Sequence, residues 1–186
     1  MFKRLETRIV GASPLIVHNG QLADPSNSFA KEMAKVRSKR GKTDSDLEEL
    51  AHLEFLGSLY LDGGKPCIPG EVIEATLLTA AKKLKRGKQC GAGLIAENAT
   101  LIYDGPTEPE KLWEDENFRL RAMVRVQLAR TPRVRPIFKK WNATLALDYD
   151  DSLLNESEVQ QIIKVAGEQV GLCDWRPKFG RFSIAE

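Results

Sequence analysis

Residues 141–170, WNATLALDYDDSLLNESEVQQIIKVAGEQV, change their hydrophobic period halfway along. Trp141, Ala143, Leu145, Leu147 and Tyr149 alternate with their neighbours, the two-residue period of a strand with one buried face. Further on, Val159, Ile162, Ile163, Ala166 and Val170 fall at helical spacing. Asn155 and Glu158 have the form of a capping box, and Gly171 stands where a helix C-terminus favours glycine. The spacing predicts a strand followed by a helix over 156–170. Beyond GLCDWRPKFG (171–180), Phe182 and Ile184 alternate with Arg181 and Ser183 and supply a last strand. Strand, helix and strand in this order make one half of a split βαβ unit.

The other half lies at the front of the chain. Leu5, Thr7 and Ile9 alternate with Arg4, Glu6 and Arg8, which predicts a first strand. Val72, Ile73, Thr76, Leu77, Ala80, Ala81 and Leu84 form one apolar stripe. Its first turn carries Glu71 and Glu74 and its last Lys82, Lys83, Lys85 and Arg86, which complement a helix dipole.

Between these elements, GASPLIVHNGQLADPSNS (11–28) reads as a long loop. Phe29, Met33 and Val36, then Leu47, Leu50 and Ala51 after Thr43 and Asp46, read as two short helices around a basic turn. Residues 58–61 and 66–68 flank Asp62-Gly63-Gly64 as a hairpin, and 99–103 form a short strand. DGPTEPEKLWEDEN (104–117) reads as an acidic loop. Ala122, Val124, Val126 and Leu128 mark another strand, and TPRVRP (131–136) a proline-interrupted connection. The expected fold class is α+β: an RRM/ferredoxin-like antiparallel sheet with helices on one face, a helical insertion after the first strand, and extra β-hairpins. One domain over 1–186 is expected, with an insertion over 11–57.

The 186 residues are 42% hydrophobic and 29% charged, an ordinary globular mixture that argues against disorder or a fibrous repeat. Cys67, Cys90 and Cys173 are odd in number and widely spaced, as expected of reduced thiols in a cytoplasmic protein. No 18-residue apolar run is present and charges interrupt the N-terminus, so neither a membrane nor a secretory route is expected.

Catalytic signatures are sparse. Gly41-Lys42-Thr43 lacks the upstream glycine of a P-loop, where Val36 stands, and Gly91-x-Gly93-x-x-Ala96 follows a basic helix end instead of a strand. No metal-ligand spacing occurs, and no cofactor is expected. His18, at the exit of the first strand, and Asp24, before Pro25, are the candidate catalytic residues, although both also suit turns. His52 lies on a predicted helix and reads as structural.

Charge distribution points elsewhere. The net charge is only +2, from 28 Lys and Arg against 26 Asp and Glu, yet residues 118–147 hold eight basic residues and no acidic one. A single strand needs cations along its backbone and aromatic faces for its bases. Arg121, Arg125, Arg130, Arg133, Arg135, Lys139 and Lys140 are the candidate phosphate contacts, with Trp175, Arg176 and Lys178 shaping a groove. Phe138, Trp141 and Phe179 also lie near cations, but Trp141 and Phe179 equally fit a core. Trp175, between Asp174 and Arg176-Pro177, fits a core less easily and is the preferred stacking residue.

Three segments carry a family resemblance. GLCDWRPKFGRF resembles the glycine-containing loop and last strand of the RAMP superfamily, the RRM-like proteins that form the backbone of CRISPR effector complexes. Ile68-Pro69-Gly70-Glu71-Val72-Ile73-Glu74 resembles that family's helix start, and SPLIVHNG the turn after its first strand. Their order is similar to that of a Cas7-like protein, from a phage or mobile element as readily as from a cellular system. The resemblance implies a protein that holds single-stranded RNA, or DNA, as a homo-oligomer or filament along the strand or beside other effector subunits. Two alternatives follow from it. One is a RAMP-type endoribonuclease using His18 or Asp24, since family members that cut RNA use an aspartate in the loop after the first strand. The other is a non-catalytic inhibitor or interaction protein that imitates an effector subunit.

Overall fold

Alternation at the start of the chain becomes a ten-residue strand with Ile9 fully buried and Arg4, Glu6 and Arg8 exposed. The computed structural model describes residues 1–126 and 129–185, and of residues 125, 126, 129 and 130 only the backbone. The first elements are β1 (Phe2–Gly11), β2 (Leu15–Ile16), α1 (Ser28–Ser38), α2 (Asp44–Ser58), β3 (Leu61–Asp62), β4 (Lys65–Ile68) and α3 (Gly70–Lys83). After them come α4 (Gly87–Gly93), β5 (Leu94–Ala96), β6 (Ala99–Thr100), α5 (Pro109–Glu114), β7 (Arg119–Val126), β8 (Ala129–Phe138), β9 (Asn142–Asp150), α6 (Glu156–Val165) and β10 (Phe182–Ile184). The chain divides into two compact units, one of Met1–Ile16, Leu61–Asp104 and Phe138–Glu186, the other of Val17–Tyr60 and Gly105–Ile137.

The first unit is built on a four-stranded sheet in the order β10-β1-β9-β5, antiparallel at every pairing. β1 and β5 are therefore parallel with β9 between them and are linked through α3. β9 and β10 are parallel with β1 between them and are linked through α6. Both halves of a split βαβ unit are thus present, and the fold is α+β with an antiparallel ferredoxin-like core, as the hydrophobic periods predict. Ala143, Leu145, Leu147 and Tyr149 of β9 are buried, as are Ile73, Thr76, Leu77, Ala80 and Ala81 of α3 and Val159, Ile162 and Ile163 of α6. Asn155 and Glu158 form the expected capping box, each side chain bonded to the other's backbone amide at 3.0 Å. The helix predicted over 156–170 is α-helical only to Val165 and continues over Ala166–Val170 with the wider π winding. The hairpin expected around residue 63 is shorter than its pattern, because α2 runs to Ser58 and leaves β3 two residues. Gly63 and Gly64, with φ of 55° and 79°, close the two-residue turn to β4.

The second unit contains α1, α2, α5 and the β7–β8 hairpin. Three readings are corrected here and at its margin. The stretch 11–28 is not simply a loop: Leu15, Ile16 and Val17 are buried, and Gly20–Ala23 wind into a 3-10 turn capped by Asn19. The acidic stretch 104–117 contains α5, because Pro109 stands at its first turn, where a missing N–H costs nothing, and Leu112 is buried. TPRVRP is not a connection but the middle of β8, in continuous register with β7 from Arg119↔Pro136 to Val126↔Ala129. Among the described residues, no helix is long and apolar enough to cross a membrane.

Candidate nucleic-acid interface

The basic run folds into the β7–β8 hairpin of the second unit, and α2 supplies its counter-charges. Thr43 and Asp46 start α2 with a capping box, and two of its glutamates meet the hairpin. Glu54, 6% exposed, accepts the Val134 amide at 3.0 Å and lies 2.9 Å from Nη1 of Arg135 and 3.3 Å from Nη1 of Arg133. Half-exposed Glu48 accepts from Nη2 of Arg121 at 2.8 and 2.9 Å and lies 3.7 Å from Nη1 of Arg119. Each of these carboxylates is shared by two guanidiniums, and Nη2 of Arg119 also lies 3.2 Å from exposed Glu116, so the four guanidiniums converge on three carboxylates.

Register separates the arginines on the hairpin itself. Arg121 pairs with Val134 and shares its face, whereas Arg133 and Arg135 share the opposite face with Ala122 and Leu120. The side chains of Arg125 and Arg130, and the whole of Gln127 and Leu128, lie outside the described residues.

Trp113 binds this cluster together and is legible in the sequence only once Pro109 is read as a helix start. The Arg119 guanidinium lies 4.7 Å and that of Arg121 5.8 Å from its ring centre, while His52 and Phe55 pack on it at 5.0 and 5.4 Å. His52 is structural, as its helical position suggests: its Nε2 lies 2.7 Å from Oε2 of Glu110. Arg119, counted in the basic run but left out of the candidate site, is the most enclosed of these cations after Arg135, with 13% of its side chain exposed.

The remaining candidates belong to the first unit. Lys139 and Lys140 are exposed in the bend between β8 and β9. Their aromatic neighbours are interior: Phe138 is 1% and Trp141 3% exposed, and the Trp141 indole N–H donates to the Ser13 carbonyl at 2.9 Å. Neither presents a stacking face. Trp175 is half-buried, with φ of 53° and its ring centre 6.0 Å from that of Phe179, over which Nζ of Lys178 lies at 5.7 Å. Its loop is held by Leu172 N–H to Gly180 O and Asp174 N–H to Ile16 O, both 2.9 Å, and Nη1 of exposed Arg176 donates to Thr76 Oγ1 at 3.1 Å. The structure therefore places Trp175, Arg176 and Lys178 on one fixed loop of one unit, and Arg121, Arg133 and Arg135 on a hairpin of the other.

The open face of the four-stranded sheet has a different character. Arg4 forks onto Glu97 through two 2.8 Å bonds and reaches Glu6 at 3.2 Å and Asp148 at 3.6 Å. Between Arg4, Glu6, Arg8, Thr144, Ala146 and Asp148 no ring stands, and the aromatic on this side of β1 is Phe2 at the strand's first position, opposite Asp150 and 53% exposed.

The two candidate catalytic residues are engaged locally. Nδ1 of His18 lies 3.4 Å from Ser58 Oγ, and the His18 carbonyl accepts from the Tyr60 hydroxyl at 3.0 Å. Exposed Asp24 accepts the Ser26 amide and hydroxyl, both at 2.8 Å, and these bonds lower its pKa below the usual value. This is the Asx-turn geometry that Asp-Pro suggests. Burial pushes the thiols of Cys67 and Cys90 up to about 11, which keeps both protonated at neutral pH. Among the described residues, no three His, Cys, Asp or Glu side chains are grouped to hold a metal ion.

No family model matches the sequence, and no curated protein matches it. Among solved structures, the chain is similar to the crystal structure of Cmr6 from Pyrococcus furiosus, at 11% sequence identity and a TM-score of 0.46, over 100% of this chain and 99% of that one.

Proposed function

We propose that this protein binds single-stranded nucleic acid, RNA in the first instance, through the β7–β8 hairpin and the Trp175 loop, as a Cas7-like, RRM-fold subunit. One observation carries the reading. Eight basic residues and no acidic one occupy 118–147, and the strands that hold most of them bring Arg119, Arg121, Arg133 and Arg135 together around Glu48, Glu54 and Glu116. A phosphodiester backbone is the ligand that rewards such an excess, because each neutralised phosphate releases bound counterions. Trp175 supplies a ring for base stacking, and Arg176 and Lys178 flank it. His18 and Asp24 take no chemical role in this reading, since their side chains are engaged in local hydrogen bonds.

Salt tests it directly. With about five phosphate contacts on a single strand, the logarithm of affinity falls against the logarithm of salt with a slope of roughly 3 to 4. Arg133 and Arg135 also hold Glu54, so the cleaner variant is Arg121→Ala with Lys139→Ala and Lys140→Ala. It is expected to bind a labelled 30-nucleotide RNA at least about tenfold more weakly, with a slope lower by about 2. Unchanged affinity and slope would remove the patch. On the same reading, copies of this chain or other effector subunits lie side by side on the strand. Light scattering with and without RNA checks this, a mass that stays monomeric on saturating RNA counting against assembly of the chain with itself.

A further inference from the structure

Within the second unit, α1, α2 and the hairpin enclose a groove of about 470 Å³, inside the range of about 300–1,000 Å³ typical of small-ligand sites. Its walls are apolar: Met33, Leu47, Leu50, Ala51 and Pro132. Arg37, Arg121 and Arg133 stand at it, with Asp44, Glu48 and Glu54. Leu47 is 51% exposed, although a leucine on a helix that packs against a hairpin is ordinarily covered.

We propose that this groove takes one unstacked base of a bound single strand, with the adjoining phosphate on Arg121. The inference rests on the nucleic-acid reading above and adds to it a defined subsite. Three features fit a nucleotide. A base has flat apolar faces that leave water for an apolar slot. Glu54 is spent on the Val134 amide and two guanidiniums, and so presents little free charge to an incoming phosphate. Glu48 holds Arg121 through an exposed ion pair that solvent already screens, which a phosphate displaces at small cost. Asp44, in the first turn of α2, is an acceptor for the exocyclic amine of adenine, cytosine or guanine.

Two 12-nucleotide probes with the same phosphates, one of adenosines and one wholly abasic, separate the base from the backbone. The protein is compared with Leu47→Ser, which removes a groove wall at an exposed position, and with Ala51→Phe, which fills the groove. Wild type is expected to bind the adenosine probe about tenfold more tightly than the abasic one. Either variant is expected to erase that difference while leaving abasic affinity within about twofold. A wild type that binds neither probe fails the nucleic-acid reading itself. Binding of the adenosine probe that neither variant changes leaves that reading standing and removes the pocket. Equal loss of both probes assigns the groove to the fold and also overturns the proposal. A tetrapeptide of sequence Asp-Leu-Phe-Asp serves as the last probe. Its binding to wild type and not to Leu47→Ser, with oligonucleotide affinity unmoved, assigns the groove to a protein partner and overturns the base pocket.

Discussion

The carboxylate of Glu54 lies 2.9 Å from Nη1 of Arg135, and both residues are buried, at 6% and 8% exposure. The same carboxylate takes up the Val134 amide at 3.0 Å, on a strand whose neighbouring even positions, Pro132 and Pro136, have no amide to donate. One side chain on α2 thus supplies both the counter-charge and the hydrogen-bond acceptor for that side of β8. Replacing it takes the counter-charge from two guanidiniums and the acceptor from a backbone N–H, and breaking a buried ion pair by removing one partner costs about 3–5 kcal/mol. Glu54→Ala is expected to lower the urea midpoint accordingly. Glu54→Gln, which keeps the acceptor and loses the charge, should fall between it and wild type. An unfolding free energy for Glu54→Ala within about 1 kcal/mol of wild type would mean that water reaches Arg135.

Two tryptophans near basic residues separate stability from binding. Trp141 is 3% exposed with its indole N–H bonded to Ser13, so Trp141→Phe leaves the Ser13 carbonyl without this donor and Trp141→Ala opens a cavity costing about 3–5 kcal/mol. Trp175 is half-buried on its loop, and Trp175→Ala is expected to spare most of the stability while weakening single-strand binding by about 1–3 kcal/mol, the range for one base stacked on an aromatic ring. Thermal denaturation and fluorescence titration of both variants check the division. A Trp175→Ala protein that binds like wild type removes the stacking role.

Elements whose period runs uninterrupted were legible in the sequence. The stripe from Ile73 to Ala81, the capping box at Asn155 and the alternation from Trp141 to Tyr149 each report a local geometry that the core then uses. What was not legible depends on partners distant in sequence. Pro132 and Pro136 read as breaks, yet they are four apart and point the same way across the strand, away from β7, so the ladder to β7 loses nothing. Their side of β8 instead meets Glu54 at Val134 and the Val17 amide at the Pro136 carbonyl, 3.2 Å away. The basic run was legible as charge, and Glu116 stands three residues before Arg119, but Glu48 and Glu54 lie at least 71 positions upstream of the arginines they hold, and no local pattern announces them.

A carboxylate held ionised by its partners gives up its contribution only in strong acid. Asp46 is lowered from 3.8 to about 2, chiefly by its 2.6 Å bond from Lys39 and then by the Thr43 amide and hydroxyl. Because the folded value lies below the unfolded one, this group's contribution is complete above about pH 3.8 and is lost as pH falls through about 2. A carboxyl-carbon NMR titration is expected to show a midpoint near 2 for Asp46. In Lys39→Ala the midpoint should move up toward 3.8 while the Thr43 bonds hold part of the shift. A wild-type midpoint already near 3.8 would show that the capping box is open in solution.

The Trp175 loop depends on its far end. Gly180 has φ of 74°, its amide donates to the Pro14 carbonyl and its carbonyl accepts the Leu172 amide, both at 2.9 Å. A Cβ at this position would run into the Leu172 backbone, which has no flexible end to move aside. Gly180→Ala therefore meets a left-handed backbone and a backbone clash together, and should cost more than the roughly 1 kcal/mol of an alanine at positive φ alone. Two of the bonds it would break, to Pro14 and Leu172, are also those that hold the loop bearing Trp175, Arg176 and Lys178. Single-strand affinity should accordingly fall in Gly180→Ala at temperatures where the rest of the protein remains folded. Hydrogen exchange at Leu172 and Gly180 reads the loop, and exchange at the Ile163 amide in α6 reads the core. Faster exchange at the loop alone, with weaker binding, is the expected pair of results, and faster exchange there with unchanged affinity would detach the loop from the binding surface.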